Sequence, residues 1–206
     1  MKRFVVIEAC SSICPGTEPD VSFVPPIQRR RLSPLQKVFF RLARDVAPDR
    51  SEVPFVFASR DGEDTLTRRI VDDFHADGSV SPHRFSSSVY NAAPGLWSVF
   101  AGNRAPYTAI AAGDDTVECG MIEALGICAE CGACVYVCAE ETLGGRGFAV
   151  RLRESSEDAD GALQVEKSDG GSCGTPFDIE AFVNLCRGGS ASLRGRWISL
   201  FRSFGG

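Results

Sequence analysis

Histidine is nearly missing from this chain: His75 and His83 are the only two in 206 residues. A nucleophilic enzyme needs a base beside its attacking group, and neither imidazole neighbours a plausible nucleophile in sequence. His75 falls in a polar helix end and His83 in a polar turn, so both read as surface residues. There is no Gly-rich phosphate loop and no Gly-x-Ser-x-Gly elbow, which removes two common signatures of catalysis. No apolar run approaches the ~20 residues that span a bilayer. Basic residues do not dominate: 22 Lys and Arg stand against 27 Asp and Glu, a net charge of -5. That balance argues against nucleic acid or an anionic membrane as partner. The run Gln28-Arg29-Arg30-Arg31 could form an anion patch but reads more simply as a solvated helix entrance. The start, Met1 to Cys10, faintly mimics a signal peptide. Glu8 interrupts its apolar run and no Ala-x-Ala site follows, so a buried first strand and a cytoplasmic location are expected.

What is present is ordinary globular composition, 44% hydrophobic and 24% charged, over a length that predicts a single domain, 1–206. Residues 2–9 read as a strand and 10–32 as irregular. Ser33 is a good N-cap with Pro34 at the first helical position. Leu35, Val38, Phe39, Leu42 and Val46 then repeat at helical spacing until Pro48. Pro54 to Ser59 predicts a buried strand. Asp61 to Ala76 predicts a helix with Leu66, Ile70, Val71 and Phe74 as its apolar stripe. Pro94 sits inside a helical pattern at 85–102. A proline deep in a helix costs about 3 kcal/mol, so the regular helix is expected to start near Tyr90 to Asn91, burying Leu96, Trp97, Val99 and Phe100. Tyr107 to Ala112 is a strand, Thr116 to Ala129 a helix, Cys134 to Cys138 and Phe148 to Leu152 strands. Residues 153–175, polar and Gly-rich, predict a flexible loop. A short helix at Phe177 to Leu185 and an apolar tail at Trp197 to Phe201 follow. Alternating strands and helices make this an α/β chain, a mixed sheet layered with helices.

Nine cysteines are many, the number is odd, and four crowd into 128–138. Cys128-x-x-Cys131-x-x-Cys134-x-x-x-Cys138 matches a bacterial ferredoxin spacing, which makes an iron–sulfur electron-transfer or regulatory protein the alternative reading. Ala139 stands where ferredoxins carry proline, and no second such motif exists. The segment also has a structural explanation. Cys128 ends an amphipathic helix, Glu130 to Ala133 is a tight turn, and Cys134, Tyr136 and Cys138 share one face of a strand while Val135 and Val137 share the other. Cysteine serves there as a small hydrophobe, and no cofactor is expected.

From about Pro25 to Leu152 the chain resembles the N-terminal half of a β-ketoacyl synthase, and more narrowly the short ketosynthase-like, chain-length-factor type proteins of aryl polyene pigment pathways. The resemblance rests on Arg29-Arg30-Arg31-Leu32-Ser33, Val56 to Glu63, Phe85 to Gly95, Ala105-Pro106, Ala109 to Asp115 and Ala139-Glu140-Glu141. The short-family pattern has His-Asn where this chain has Tyr90-Asn91. The resemblance implies half of a thiolase-like fold. Ketosynthases carry a cysteine nucleophile in a strand-to-helix turn and two histidines in their C-terminal half. Aligning Ala105-Pro106 with the Gly-Pro of that motif places Asp114 at the nucleophile position. The nearest cysteine, Cys119, falls five residues into the helix and is expected to be buried. No histidine follows Asp114 in this sequence. The resemblance therefore implies a subunit without independent condensing activity, pairing as a heterodimer with a full-length β-ketoacyl synthase in polyketide or fatty-acid-like synthesis and meeting acyl carrier protein only through it. Ketosynthases dimerise through the strand before the nucleophile, which implicates Tyr107, Ala109 and Ile110. In chain-length factors a helix meets the partner's acyl tunnel. By position its face here is Asp64, Thr67 and Val71.

Overall fold

A computed structural model describes residues 3–48, 52–141, 145–155, 162–168, 177–189 and 192–202. The chain forms strand β1 (Arg3–Ile13), helices α1 (Pro26–Arg29) and α2 (Pro34–Val46), strand β2 (Phe55–Ala58), and helices α3 (Asp64–Asp77), α4 (Pro82–Ser88) and α5 (Ala92–Ala101). Strand β3 (Tyr107–Ile110) leads through a 3-10 turn (Gly113–Asp115) to α6 (Thr116–Cys131). Strands β4 (Ala133–Glu140), β5 (Arg146–Ser155) and β6 (Ala162–Lys167), helix α7 (Ile179–Cys186), and strands β7 (Ser192–Arg194) and β8 (Ile198–Arg202) complete it.

The eight strands form one sheet in the order β3-β2-β4-β5-β1-β6-β8-β7. β2 runs parallel to both β3 and β4, and the remaining pairs are antiparallel. This is the expected mixed sheet, and helices cover both faces. On one face Phe39, Leu42 and Trp97 of α2 and α5 pack over Phe55, Phe57, Val135 and Val137. On the other, Met121 and Cys128 of α6 and Phe182 of α7 pack over Cys134, Tyr136, Cys138 and Phe148. The alternation along β4 is as the sequence predicts: its cysteines and tyrosine go to one core, its valines to the other.

Helix α2 shows how local chemistry sets an element. The Ser33 hydroxyl accepts from Gln36 N at 3.0 Å and the Gln36 side chain returns to Ser33 N at 3.1 Å, a reciprocal capping box with Pro34 just inside it. Leu35, Phe39, Leu42 and Ala43 are fully buried. In α5 Pro94 falls in the first turn, where its missing N–H costs nothing.

Several expectations need correction. β1 does not stop at residue 9. A bulge between Ile7 and Ala9 lets it continue to Ile13 against β5. The Pro-rich stretch holds the short helix α1, and His83 lies on helix α4 rather than in a turn. The stripe Leu66, Ile70, Val71, Phe74 is not core: every residue of α3 keeps some exposure, with Val71 at 48% and Phe74 at 54%. Of the α5 set, Trp97 is buried but Leu96 is 41% and Val99 83% exposed. Residues 153–155 belong to β5 and 162–167 to β6, while 156–161 and 169–175 lie outside the described residues.

Candidate functional site

The carboxyl ends of the parallel strands converge, the usual place for a site in an α/β sheet. After β2 comes Ser59-Arg60-Asp61, after β3 the Gly113–Asp115 turn, and β4 ends at Glu140. Gly113 takes φ +58°, a left-handed conformation that favours glycine. The Thr116 hydroxyl locks the turn by donating to Gly113 O at 2.7 Å and accepting from Ala112 N at 3.0 Å. The turn therefore presents Asp114 at the entrance to α6. Its side chain is 86% exposed, and its Oδ1 meets Arg60 Nη1 at 2.8 Å. Asp115 beside it holds Arg196 Nη1 at 2.6 Å.

Behind Arg60, Glu140 fixes the turn after β2. It accepts from Arg60 N at 2.6 Å and from Ser59 Oγ at 3.2 Å, and Ser59 Oγ accepts from Gly62 N at 3.0 Å. Burial pushes the Glu140 carboxyl above its ordinary range. Tyr90 closes the cluster. Its hydroxyl accepts from Ser59 N at 3.0 Å and lies close to the carbonyls of Ser59 and Ile110, so it bridges β2 and β3. Burial raises its phenol too, leaving it a neutral donor. Tyr90, where the related pattern has histidine, is thus a strand clasp.

The polar groups of this cluster are engaged mainly with one another. Asp114 is a carboxylate neutralised by a guanidinium. Cys119 is half-buried rather than buried, and burial raises its thiol above the ordinary range. His75 and His83 occupy exposed faces of α3 and α4.

The four clustered cysteines are not brought together. Cys131 is exposed, whereas Cys128, Cys134 and Cys138 are buried. A strand rises ~3.3 Å per residue, so Cys134 and Cys138 stand about 13 Å apart along β4, whereas thiolates sharing one ion at ~2.3 Å lie within ~5 Å of each other. Burial pushes the Cys128 thiol up to about 11 and raises Cys134 and Cys138 further, against the thiolate a metal requires. Among the described residues, no group of three His, Cys, Asp or Glu could hold a metal ion.

The residues expected at a partner surface lie on open ground. Among the described residues β3 is an end strand of the sheet, with only β2 beside it. Tyr107 is 37% exposed, while Ala109 and Ile110 are half-buried against opposite cores. On α3 Thr67 is exposed, and Asp64 is engaged by Arg68 one turn on at 2.7 Å. With Val71 and Phe74, Phe85 and Val89 leave the α3–α4 hairpin lined with uncovered apolar side chains.

A residue without any sequence signal turned out to be structural. Glu118 is 2% exposed, and it accepts from Arg196 N (2.9 Å), Trp197 N (2.6 Å) and Ile198 N (2.9 Å), pinning the β7–β8 turn to α6.

Residues 9–174 match the model of the β-ketoacyl synthase N-terminal domain family, and the chain belongs to that family. Among solved structures it is similar to a chain in the complex of the ketosynthase ApeO with its chain length factor ApeC from Xenorhabdus doucetiae. There the TM-score is 0.75 at 18% identity, covering 97% of this chain and 99% of that one. The ishigamide ketosynthase/chain length factor follows at TM-score 0.61 and 14% identity, over 80% of this chain and 68% of that one. A type II polyketide synthase acyl-carrier protein in complex with its ketosynthase, AntDE:AntF, gives TM-score 0.61 at 12% identity, over 82% and 70%. No curated protein matches the sequence. Among the described residues, no helix is long and apolar enough to cross a membrane.

Proposed function

We propose that the chain is a non-condensing subunit of the chain-length-factor type, pairing with a full-length, active β-ketoacyl synthase and shaping its acyl tunnel. The observation that carries this reading is Asp114, an ion-paired carboxylate in the strand-to-helix turn that the resemblance aligns with the thiolate of a condensing enzyme. A carboxylate balanced by Arg60 is a poor acyl acceptor, and no imidazole stands near it in sequence. The open edge of β3 supports the pairing, since unpaired strand backbone is a template for another strand. Tyr107, Ala109 and Ile110 would lie along that junction, and the exposed α3 face with Asp64, Thr67 and Val71 would meet the partner's tunnel. Structures that are named for ketosynthase and chain length factor pairs and share the fold support the same assignment. In this reading the pathway is of the polyketide or fatty-acid-like, aryl polyene type, acyl carrier protein engages the pair through the partner, and the pair works in the cytoplasm.

Co-expression with the β-ketoacyl synthase encoded beside it, followed by size-exclusion chromatography, tests the reading. A 1:1 heterodimer that condenses acyl units is expected, with the isolated chain inactive. Condensation by the purified chain alone would refute it. Thr67→Trp in the reconstituted pair should shorten the products, and unchanged lengths would remove α3 from the tunnel.

A further inference from the structure

A cavity of about 480 Å³ opens between α1, α2, α4 and α5, within the ~300–1,000 Å³ range of small-molecule sites. Its wall is mostly apolar, with Leu32, Phe40, Leu96, Val99 and Phe100 forming the main surface. Phe40 and Phe100 pack at 5.6 Å, and Trp97 backs Phe40 edge-on at 5.3 Å, so the floor is rigid. Leu96 and Val99, the α5 residues that sequence periodicity assigns to the core, instead face this opening and are left to solvent. Its polar lining is Gln28, Arg31, His83 and Ser87.

The charges on that lining have one sign. Both ionisable groups, Arg31 and His83, are bases, in a chain whose net charge is -5. Arg41, Arg60, Arg68, Arg84 and Arg196 each hold a carboxylate. Among the described residues no carboxylate pairs with Arg31, although acidic side chains outnumber basic ones. A guanidinium without a carboxylate partner lining the same cavity as an aromatic wall is the complement of an amphipathic anion.

We propose that this cavity binds a small amphipathic carboxylate, a linear alkyl or aryl chain whose body lies on Phe40, Val99 and Phe100 and whose carboxylate accepts from Arg31. Arg31 of the basic run then has a role beyond solvation, and no β3 residue lines the site.

Decanoate, decanol and decyltrimethylammonium, each below its micelle-forming concentration, are titrated into the full chain carrying Trp197→Phe, with Trp97 fluorescence as readout. Decanoate should bind saturably, about tenfold tighter than decanol, because a hydrogen bond to a charged group contributes at least that factor. The cationic homologue should bind weakest. Arg31→Ala should bring decanoate down to the affinity of decanol. Val99→Phe, at an 83% exposed position that tolerates bulk and adds no second tryptophan to the readout, should block both. No saturable decanoate binding, equal affinity for the three head groups, or binding unchanged in both variants would overturn the proposal and leave the cavity as a seat for a protein side chain.

Discussion

Ala109 offers a way to break the proposed heterodimer without touching the subunit's own fold. In β3 the carbonyls of Pro106 and Ile110 accept from Phe55 N at 3.1 Å and Ser59 N at 3.2 Å. Residues 106, 108 and 110 therefore turn their backbone groups toward β2. The intervening Tyr107 and Ala109 point theirs to the open side. Proline at 109 removes one outward N–H and leaves the ladder to β2 whole, the one setting in which a strand accepts proline readily. If a partner strand docks there, it loses one hydrogen bond, about 0.5–1.5 kcal/mol, and strands a carbonyl at about 1–3 kcal/mol. Together these give about 1.5–4.5 kcal/mol, or a roughly 10- to 1,600-fold rise in Kd. Calorimetric titration of the ketosynthase with Ala109→Pro would read the loss, while thermal unfolding of the isolated variant should shift by less than about 3 °C. Thr108→Pro is the control, because it removes a ladder donor to β2 and should destabilise the isolated chain itself. A variant pair as tight as wild type, or an Ala109→Pro subunit as unstable as Thr108→Pro, would refute the reasoning.

Three further outcomes follow from the buried chemistry. Glu118→Ala strips the acceptor from three backbone N–H groups, and it should cost about 3 kcal/mol and lower Tm by about 6–12 °C in differential scanning calorimetry. At Gly120 an added Cβ would stand 2.6 Å from the Tyr136 hydroxyl, while at Gly126 on the same helix nothing lies within 4 Å. Urea unfolding should therefore show Gly120→Ala destabilised by about 1–3 kcal/mol and Gly126→Ala stabilised by about 0.5–1 kcal/mol. Glu63, 4% exposed beneath Ser33 and Gln36, has its carboxyl raised by burial to about 7 from 4.5. The native state then binds the extra proton between those values, so the contribution of Glu63 to stability is fullest below about pH 4.5 and falls by about 3 kcal/mol as pH rises to 7. Glu63→Gln should flatten that slope in unfolding measured from pH 5 to 8, and an unchanged slope would exclude Glu63 as its source.

The elements legible in the sequence were those whose cause is local. Ser33-Pro34 and the spacing Leu35, Val38, Phe39, Leu42 define α2 because cap and stripe lie within one segment. The two-residue alternation of β4 sorts its cysteines from its valines because both faces are covered. The family resemblance aligned Asp114 with a strand-to-helix turn, and the residue lies in the 3-10 turn between β3 and α6. What failed depended on neighbours outside the segment. The 3.6-residue pattern of α3 correctly gave an apolar face but not what covers it, and Val71 and Phe74 are left open. Val99 failed likewise, since α5 buries only the side carrying Ala93 and Trp97. Glu118 carried no signal because its three donors are backbone groups some eighty residues away, and Tyr90 looked like a substituted histidine until its hydroxyl was seen spanning two strands.

The two ends of the sheet are unequal. β7 is three residues long and carries Arg194, which stacks on Phe201 at 5.8 Å, whereas β3 ends the other side with Tyr107 outward. The proposed pairing uses the β3 flank, where the outward backbone groups of Tyr107 and Ala109 have no strand beside them among the described residues. In the proposed pairing such a molecule would have a valence of one, joining a single mate and stopping, where two competent flanks would propagate into a filament.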